Sequence, residues 1–437
     1  MWMRMCRLRC GRLCRRRGWG KVVGLCVAGF IFGLMALVSF GYYFRHQLFD
    51  TFVKCTDKDS RRFIDDFCGL YKQGVITGSL CRPLCETGEV KFDRCTNFHA
   101  GKEVHLMNCT NFCRPQQTIP AVLKSSKINA TMVLKDHPNV DMGDDITTML
   151  KHQIRQLVVS DLGFLPFDTS DAIRVMWDEG FDQYLSDPVQ KNAAYRTIMM
   201  LMDQPEYKMV KSLKHSNVVP RIYGTCGPMF LEESCPSGPL DVQLSYFSRT
   251  KPFPTSSSSS AQWREKASVA IGLLELLDHF ERDFPQPLHL CDVKGSNFGM
   301  CVDGVVKMID MDSVFFNTTM YNIFNLSTCK THDDCNFFDC RGWCDVATGK
   351  CYSIRTNNNL QLVCDDVLTG PLPAVFDAGG LLSAAPASVA KELHAALDEC
   401  IVQTGVEKGV PVYKPPPAIQ RKIIRLLQHS IAHLDSS

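Results

Sequence analysis

The chain has 437 residues, of which 45% are hydrophobic and 22% charged, and its formal charge is +2. That balance excludes a disordered or fibrous chain, and the length admits one large or two ordinary domains. The charge is lopsided: Arg4, Arg7, Arg9, Arg12, Arg15, Arg16, Arg17 and Lys21 stand in the first 21 residues without an acid, so this tail carries +8 and the rest −6. No basic surface for nucleic acid is implied outside the tail, and no nucleic-acid partner is expected.

After the basic tail at 1–21, residues 22–44 form an uncharged apolar run of 23 residues. As a helix it reaches roughly 34 Å, enough to cross a bilayer core. A cleaved signal peptide shares the basic front and apolar centre, but this run ends in Tyr42, Tyr43, Phe44 and Arg45 instead of a small-residue cleavage site. It reads as a retained signal-anchor, a transmembrane helix. The positive-inside bias leaves the tail in the cytoplasm and everything beyond Arg45 in a lumen, a single-pass type II topology. Arginine pairs so close to the N-terminus resemble an endoplasmic-reticulum retention signal; a plain topology determinant would look the same.

Of the 22 cysteines, Cys6, Cys10, Cys14 and Cys26 precede or lie in that run, leaving 18 beyond it. An even number at that density suits an oxidising compartment and a disulfide framework. Cys81-x-x-x-Cys85 and Cys340-x-x-x-Cys344 have spacings open to zinc, but neither has a companion Cys-x-x-Cys or His doublet, so disulfides are expected there too. The sequons at Asn108, Asn129, Asn317 and Asn325 agree with a lumenal glycoprotein.

The cysteine-rich segment 45–95 is too short to bury a core of its own. It is expected to carry an amphipathic helix over Arg61 to Tyr71 and a disulfide-pinned loop over Gly74 to Cys85. Alternating apolar residues predict strands around Val104 to Met107 and Ile119 to Leu123. Helical spacing follows from Asp144 to Val159, with Ile146, Met149, Leu150, Ile154, Leu157 and Val158 as its apolar stripe. A helix beginning near Pro205 and Glu206 precedes strands at Arg221 to Gly224 and Met229 to Glu233. The serine-rich stretch Pro252 to Ser260 is a surface loop. Trp263 to Phe280 is an amphipathic helix whose core stripe is Ala267, Ala270, Ile271, Leu274, Leu277 and Phe280.

Next comes the chemistry-bearing stretch, Leu290-Cys291-Asp292-Val293-Lys294-Gly295-Ser296-Asn297, then an apolar strand from Val305 to Ile309 and Asp310-Met311-Asp312. Protein kinases place their catalytic loop, H-R-D-x-x-x-x-N, and the metal-binding Asp of D-F-G at comparable offsets. Asp292 and Asn297 keep that spacing, Lys294 falls where many kinases keep a lysine near the transferred phosphate, and Asp310 follows the strand. Leu290 and Cys291 replace the His and Arg that brace the loop, and Met311 and Asp312 replace the Phe and Gly. Glu206, about nine residues before His215-Ser216-Asn217-Val218, matches the kinase αC glutamate. Met229 to Glu233 fits the strand leading to the adenine hinge. No A-P-E follows; instead 329–364 packs six cysteines among acids that lack EF-hand spacing, which reads as a disulfide knot with solvated acids. Helices at Ser388 to Cys400 and Pro417 to Leu434 close the chain.

Together these residues resemble the divergent protein kinase domain family, type 1 branch, cysteine-rich type II membrane proteins of the endoplasmic reticulum. The likeness runs from the Arg-rich tail through Cys81 to Cys85, Leu290 to Asn297 and Asp333 to Cys344 to Asn357-Asn358-Asn359-Leu360. It implies an α+β, disulfide-rich, bilobal kinase-like domain behind the membrane helix, with an N-lobe over 96–235 and a C-lobe over 236–437. It also implies catalytic roles for Asp292 and Lys294, metal ligation by Asn297 and Asp310, and ATP with Mg2+ or Mn2+ as cofactors. Glu206 would pair with an ATP-anchoring lysine, either Lys124 of Ala121-Val122-Leu123-Lys124 or Lys135 of Met132-Val133-Leu134-Lys135, with Lys124 preferred. Some family members carry an EF-hand-like insertion in the N-lobe, but here 162–177 keeps only Asp168 and Asp171, and no calcium loop is expected. Three functions stay open: a lumenal phosphotransferase acting on proteins or glycans, a pseudokinase that binds a partner or nucleotide without transfer, and a disulfide-rich anchored ectodomain with no nucleotide site.

Overall fold

The computed structural model describes residues 56–96, 101–140, 145–240, 259–370, 380–402, 405–407, 409–413 and 418–436. The basic tail, the apolar run at 22–44 and most of the serine-rich loop lie outside these residues. Among the described residues, no helix is long and apolar enough to cross a membrane.

Helix α1 (Asp57–Lys72) starts where the Thr56 hydroxyl accepts from the Asp59 amide, satisfying one of the donors a helix start leaves open. Beyond it five strands form one antiparallel sheet. They are β1 (Val90–Cys95), β2 (Lys102–Thr110), β3 (Thr118–Ser126), β4 (Ile222–Cys226) and β5 (Met229–Glu233), in the order β1-β2-β3-β5-β4. Both predicted strands are present and longer than their alternating cores, because β2 and β3 pair without a break from Lys102↔Ser126 to Thr110↔Thr118. The cysteine-rich segment supplies β1, the outer strand of this sheet.

Between β3 and β4 the chain leaves the sheet for α2 (Ile146–Leu162), α3 (Pro188–Met202) and α4 (Pro205–Ser212). On α2 the buried residues are Ile146, Leu150, Ile154, Val158 and Leu162, a narrower stripe than expected. Met149, anticipated in that stripe, is exposed. Helix α5 (Ser259–Arg282) is the reverse case. Trp263, Val269, Leu273 and Leu276 are buried besides Ala267, Ala270, Leu274, Leu277 and Phe280, so this helix is packed on more than one side.

Short two-stranded sheets follow: β6 (Leu288–Leu290) pairs with β9 (Val314–Phe316), and β7 (Phe298–Met300) with β8 (Val306–Met308). Helices α6 (Asn317–Leu326), α7 (Ala387–Ile401) and α8 (Ile419–Ser436) complete the C-terminal half. One apolar core joins α2, α3, α5, α7 and α8 and includes Leu150, Trp177, Leu201, Phe280 and Leu393; a second lies between the sheet and α1, around Phe67, Met107, Leu123 and Leu231. Each such side chain contributes roughly 1.5–3 kcal/mol by leaving water.

All seventeen described cysteines are disulfide-bonded. Cys81 and Cys85 pair with Cys226 and Cys68, and Cys340 and Cys344 pair with Cys291 and Cys329, so the zinc-like spacings resolve into disulfides. Cys329–Cys344 and Cys335–Cys351 cross in sequence, so four of the six cysteines at 329–364 form the expected knot. Cys340 and Cys364 instead reach outside it to Cys291 and Cys400, and Asp339, expected to be solvated, accepts from the Val293 amide.

Candidate active site

Lys124 is a buried residue of β3, opposite Phe230 of β5. Its ammonium lies 2.8 Å from Glu206 Oε1 and 2.7 Å from Glu232 Oε1, and donates to the Ile309 carbonyl at 2.6 Å. Glu206 sits in the first turn of α4, just after Pro205, where a fixed φ and the positive end of the helix favour a proline followed by an acid. Gln204 sets the start of that helix: its Oε1 accepts from the Ser126 amide at 2.7 Å and its Nε2 donates to Pro228 O at 2.8 Å.

A second lysine shares the same glutamate. Lys102, the first residue of β2, lies 3.3 Å from Glu206 Oε2, 2.9 Å from Asp310 Oδ1 and 2.8 Å from Asp312 Oδ2. Two ammoniums therefore face four carboxylates, an arrangement left with excess negative charge when all are ionised. Burial pulls the Lys102 and Lys124 pKa values down, but the carboxylates around each outweigh it and leave both raised. For Asp310 burial acts upward, and Lys102 with Lys124 overcomes it, leaving the carboxyl below its ordinary range. Glu232 is pushed up to about 7, first by burial and then by Glu206, against the pull of Lys124. One of its oxygens is buried with no hydrogen-bond partner.

Glu206, Asp310 and Asp312 each offer an oxygen within 4.8 Å of the others. Hard oxygen donors with surplus negative charge fit Mg2+ or Mn2+.

The loop residues form a neighbouring group. Asn297 Nδ2 donates to Asp292 O at 2.9 Å and to Asp292 Oδ2 at 3.0 Å, while Lys294 Nζ lies 2.7 Å from the same carboxylate oxygen. Gly295 to Asn297 make one tight turn, and a Cβ on Gly295 would stand 1.8 Å from Leu240 O, so only glycine fits beneath that chain. The Asn297 carbonyl accepts from the Ile309 amide at 2.8 Å, which ties the loop to the residue just before Asp310. Asp310 turns its carboxylate to Lys102, and the Asn297 amide turns to Asp292.

Of the two candidate lysines, the structure brings Lys124 to Glu206 and leaves Lys135 exposed on the short helix Val133–Asp136. The apolar run at 132–134 resembled a strand, but the Asn129 side chain accepts from the Thr131 amide and starts a helical turn instead. Lys102, Glu232 and Asp312 escape sequence reasoning. Lys102 opens β2 directly after Gly101 and belongs to no motif. Asp312 registers in the sequence only as a lost glycine, and Glu232 only as one of two acids ending a strand. Asp171 of the stretch without a calcium loop pairs with Arg174 at 2.7 Å.

Residues 198–403 match the family model described as the protein-kinase domain of FAM69, and residues 26–155 match the one described as its N-terminal cysteine-rich ER region. Divergent protein kinase domain 2A of Mus musculus is 26% identical over 151 residues, which cover 32% of this chain and 35% of that protein. The matched part thus spans about a third of the length of this relative.

Proposed function

Because this chain belongs to the FAM69 family of divergent protein-kinase-domain proteins, we propose that it transfers the γ-phosphoryl group of ATP to a hydroxyl of a protein or glycan in the endoplasmic-reticulum lumen. The observation that carries this reading is the Lys124 and Glu206 ion pair set beside Asp310, with the Asp292, Lys294 and Asn297 group one hydrogen bond away. In this reading Lys124, held by Glu206, orients the ATP phosphates. Asp292 takes the acceptor hydroxyl's proton as that oxygen bonds to phosphorus and the bond to ADP breaks, and Lys294, 2.7 Å from that carboxylate, brings a positive charge beside the reacting oxygens. Asp310, with Asn297, Glu206 or Asp312, would hold Mg2+ or Mn2+, which would supply positive charge against the phosphates.

The lumenal, single-pass type II placement is part of the same proposal. The described cysteines are all oxidised, the sequon asparagines Asn108, Asn129, Asn317 and Asn325 are all exposed, and the N-terminal family model carries an ER description. Sensitivity of the full chain's mass to endoglycosidase, lost on Asn→Gln change of these four residues, tests that placement.

One observation favours a pseudokinase instead: Lys102 already fills the space between Glu206, Asp310 and Asp312 with a positive charge. The two readings separate on the purified full chain with Mg·ATP or Mn·ATP. Transfer that Asp292→Ala and Asp310→Ala abolish supports the kinase. Metal-dependent ATP binding without transfer to any acceptor supports the pseudokinase, and a melting temperature unmoved by metal and ATP sinks both.

A further inference from the structure

The catalytic loop lacks the His and Arg that brace it in kinases, yet the backbone of Leu288 to Val293 is held at most of its polar groups. On one edge β6 pairs with β9. On its other edge Asn359 takes the place of a further strand, its Nδ2 donating to Leu288 O at 2.7 Å and its Oδ1 accepting from the Leu290 amide at 2.9 Å. Arg355 donates to Leu290 O at 3.1 Å through Nη2 and to Asn359 Oδ1 at 2.8 Å through Nη1, which fixes the amide it leans on. Asp339 grips the next peptides, its own amide donating to Cys291 O at 2.8 Å and its Oδ2 accepting from the Val293 amide at 2.7 Å. Those two contacts bracket Asp292, and the disulfide Cys291–Cys340 joins the same two chains covalently.

The supporting groups are themselves supported. Asn357 donates to Asp339 O at 2.8 Å and accepts from Arg355 Nε at 3.0 Å. Arg355 Nη1 also meets His289 Nδ1 at 3.1 Å. A guanidinium has no acceptor, so this imidazole nitrogen must accept, leaving His289 neutral with Nε2–H toward Asn317 Oδ1. Burial first, and then Arg355, depress the His289 pKa to about 4, in agreement with that tautomer.

We infer that Asp339, Arg355 and Asn359 are positioning residues that set the conformation of the catalytic loop in place of the missing His and Arg. The second cysteine-rich stretch, 329–364, stands where an activation segment would follow, and it fixes the loop through a disulfide and backbone contacts as well as charge. Placement of Asp292 then needs no phosphorylated segment to complete it. The chemical consequence rests on the phosphotransfer reading; the bracing itself does not.

Hydrogen–deuterium exchange of the full chain tests this. Asp339→Ala removes the acceptor of the Val293 amide, and Asp339→Asn keeps an oxygen there. Exchange at 288–293 is expected to quicken about tenfold in the alanine variant, with 118–126 in β3 unchanged and protection regained in the asparagine variant. Unchanged exchange at 288–293 overturns the proposal. Because the alanine variant is open to failing as a whole, Arg355→Lys serves as the second variant. It keeps the charge but cannot span Leu290 O, Asn359 and Asn357 together, and faster exchange confined to 288–293 is expected. An equal rise at 118–126 in both variants makes these residues parts of the general fold and also overturns it. Should the unaltered chain transfer no phosphate, the exchange result still decides the brace, and only the phosphotransfer reading fails. Should it transfer, Asp339→Ala is expected to lower kcat about tenfold with ATP affinity within twofold, and the asparagine variant to restore most of it.

Discussion

On the sheet side of the site, Lys102 and Lys124 meet Glu206, Glu232, Asp310 and Asp312 mainly as ion pairs, with one backbone contact, from Lys124 to the Ile309 carbonyl. On the loop side, Leu288 to Val293 is held by a disulfide and by hydrogen bonds to its backbone. The difference follows from what each side must do. Ion pairs in a partly dry cleft exchange partners when a charged ligand or metal enters, because their attraction is long-ranged and non-directional. Hydrogen bonds to peptide groups and a covalent bridge hold one geometry, which suits a group that has to meet a reacting hydroxyl at a fixed distance. The cleft is adjustable where phosphate and metal would arrive, and the loop is rigid where a proton would move.

The comparison breaks most visibly if the bridge is removed. Replacing Cys291 and Cys340 together by Ala opens a loop of 49 residues and is expected to cost about 4 kcal/mol, read from denaturant unfolding of the full chain. A loss under 1 kcal/mol would mean that the hydrogen bonds alone fix the loop. On the charged side the largest effect belongs to Lys124→Met, which strands the buried Glu232 and leaves Glu206 to Lys102 alone, and is expected to cost roughly 3 kcal/mol and to abolish ATP-dependent stabilisation in the same measurement.

A pH series sharpens the contrast. The folded state holds a proton on Glu232 that the unfolded chain releases near its ordinary 4.5, so this group favours folding at low pH. Its contribution is lost as pH rises from 4.5 to about 7. Stability measured across that window should therefore fall more steeply in the unaltered chain than in Glu232→Gln; parallel curves would place the proton elsewhere. Lys102→Ala removes a cation from a partly solvated cluster and is expected to cost less than about 1 kcal/mol. It should instead tighten Mn2+ binding in the absence of nucleotide, by electron paramagnetic resonance titration, since Asp310, Asp312 and Glu206 lose their resident counter-charge. The smallest effect is reserved for Lys135→Ala, which sits exposed on its short helix and should change neither stability nor ATP binding beyond about 0.5 kcal/mol.

Much of the fold was legible in the chain, for reasons that differ from element to element. The alternation in β2 and β3 and the helical stripes of α2 and α5 are local patterns, repeated within one element and so visible along it. Met149 shows the limit: it has the right spacing for the α2 stripe, but the partner surface covers only the Ile146, Leu150, Ile154, Val158 and Leu162 line. The Asp292, Asn297 and Asp310 spacing was legible because a tight turn and a short hairpin connect them. The competition between Lys124 and Lys135 was not, since both follow three apolar residues, and an asparagine cap six positions before Lys135 decides that its stretch coils.

By itself the sequence determined most of the elements and the spacing of Asp292, Asn297 and Asp310, because hydrophobic periodicity, turn glycines and motif offsets act over a few residues. Only the tertiary structure decided that Lys102 enters the cluster across 208 residues of chain, that Glu232 is buried there, and which cysteines pair. It alone set Asp339, Arg355 and Asn359 against the loop at 288–293, across 46, 65 and 69 residues of sequence. Charges and peptide groups respond to distance in space, and no local pattern records which distant segment the packing of the core will bring beside them.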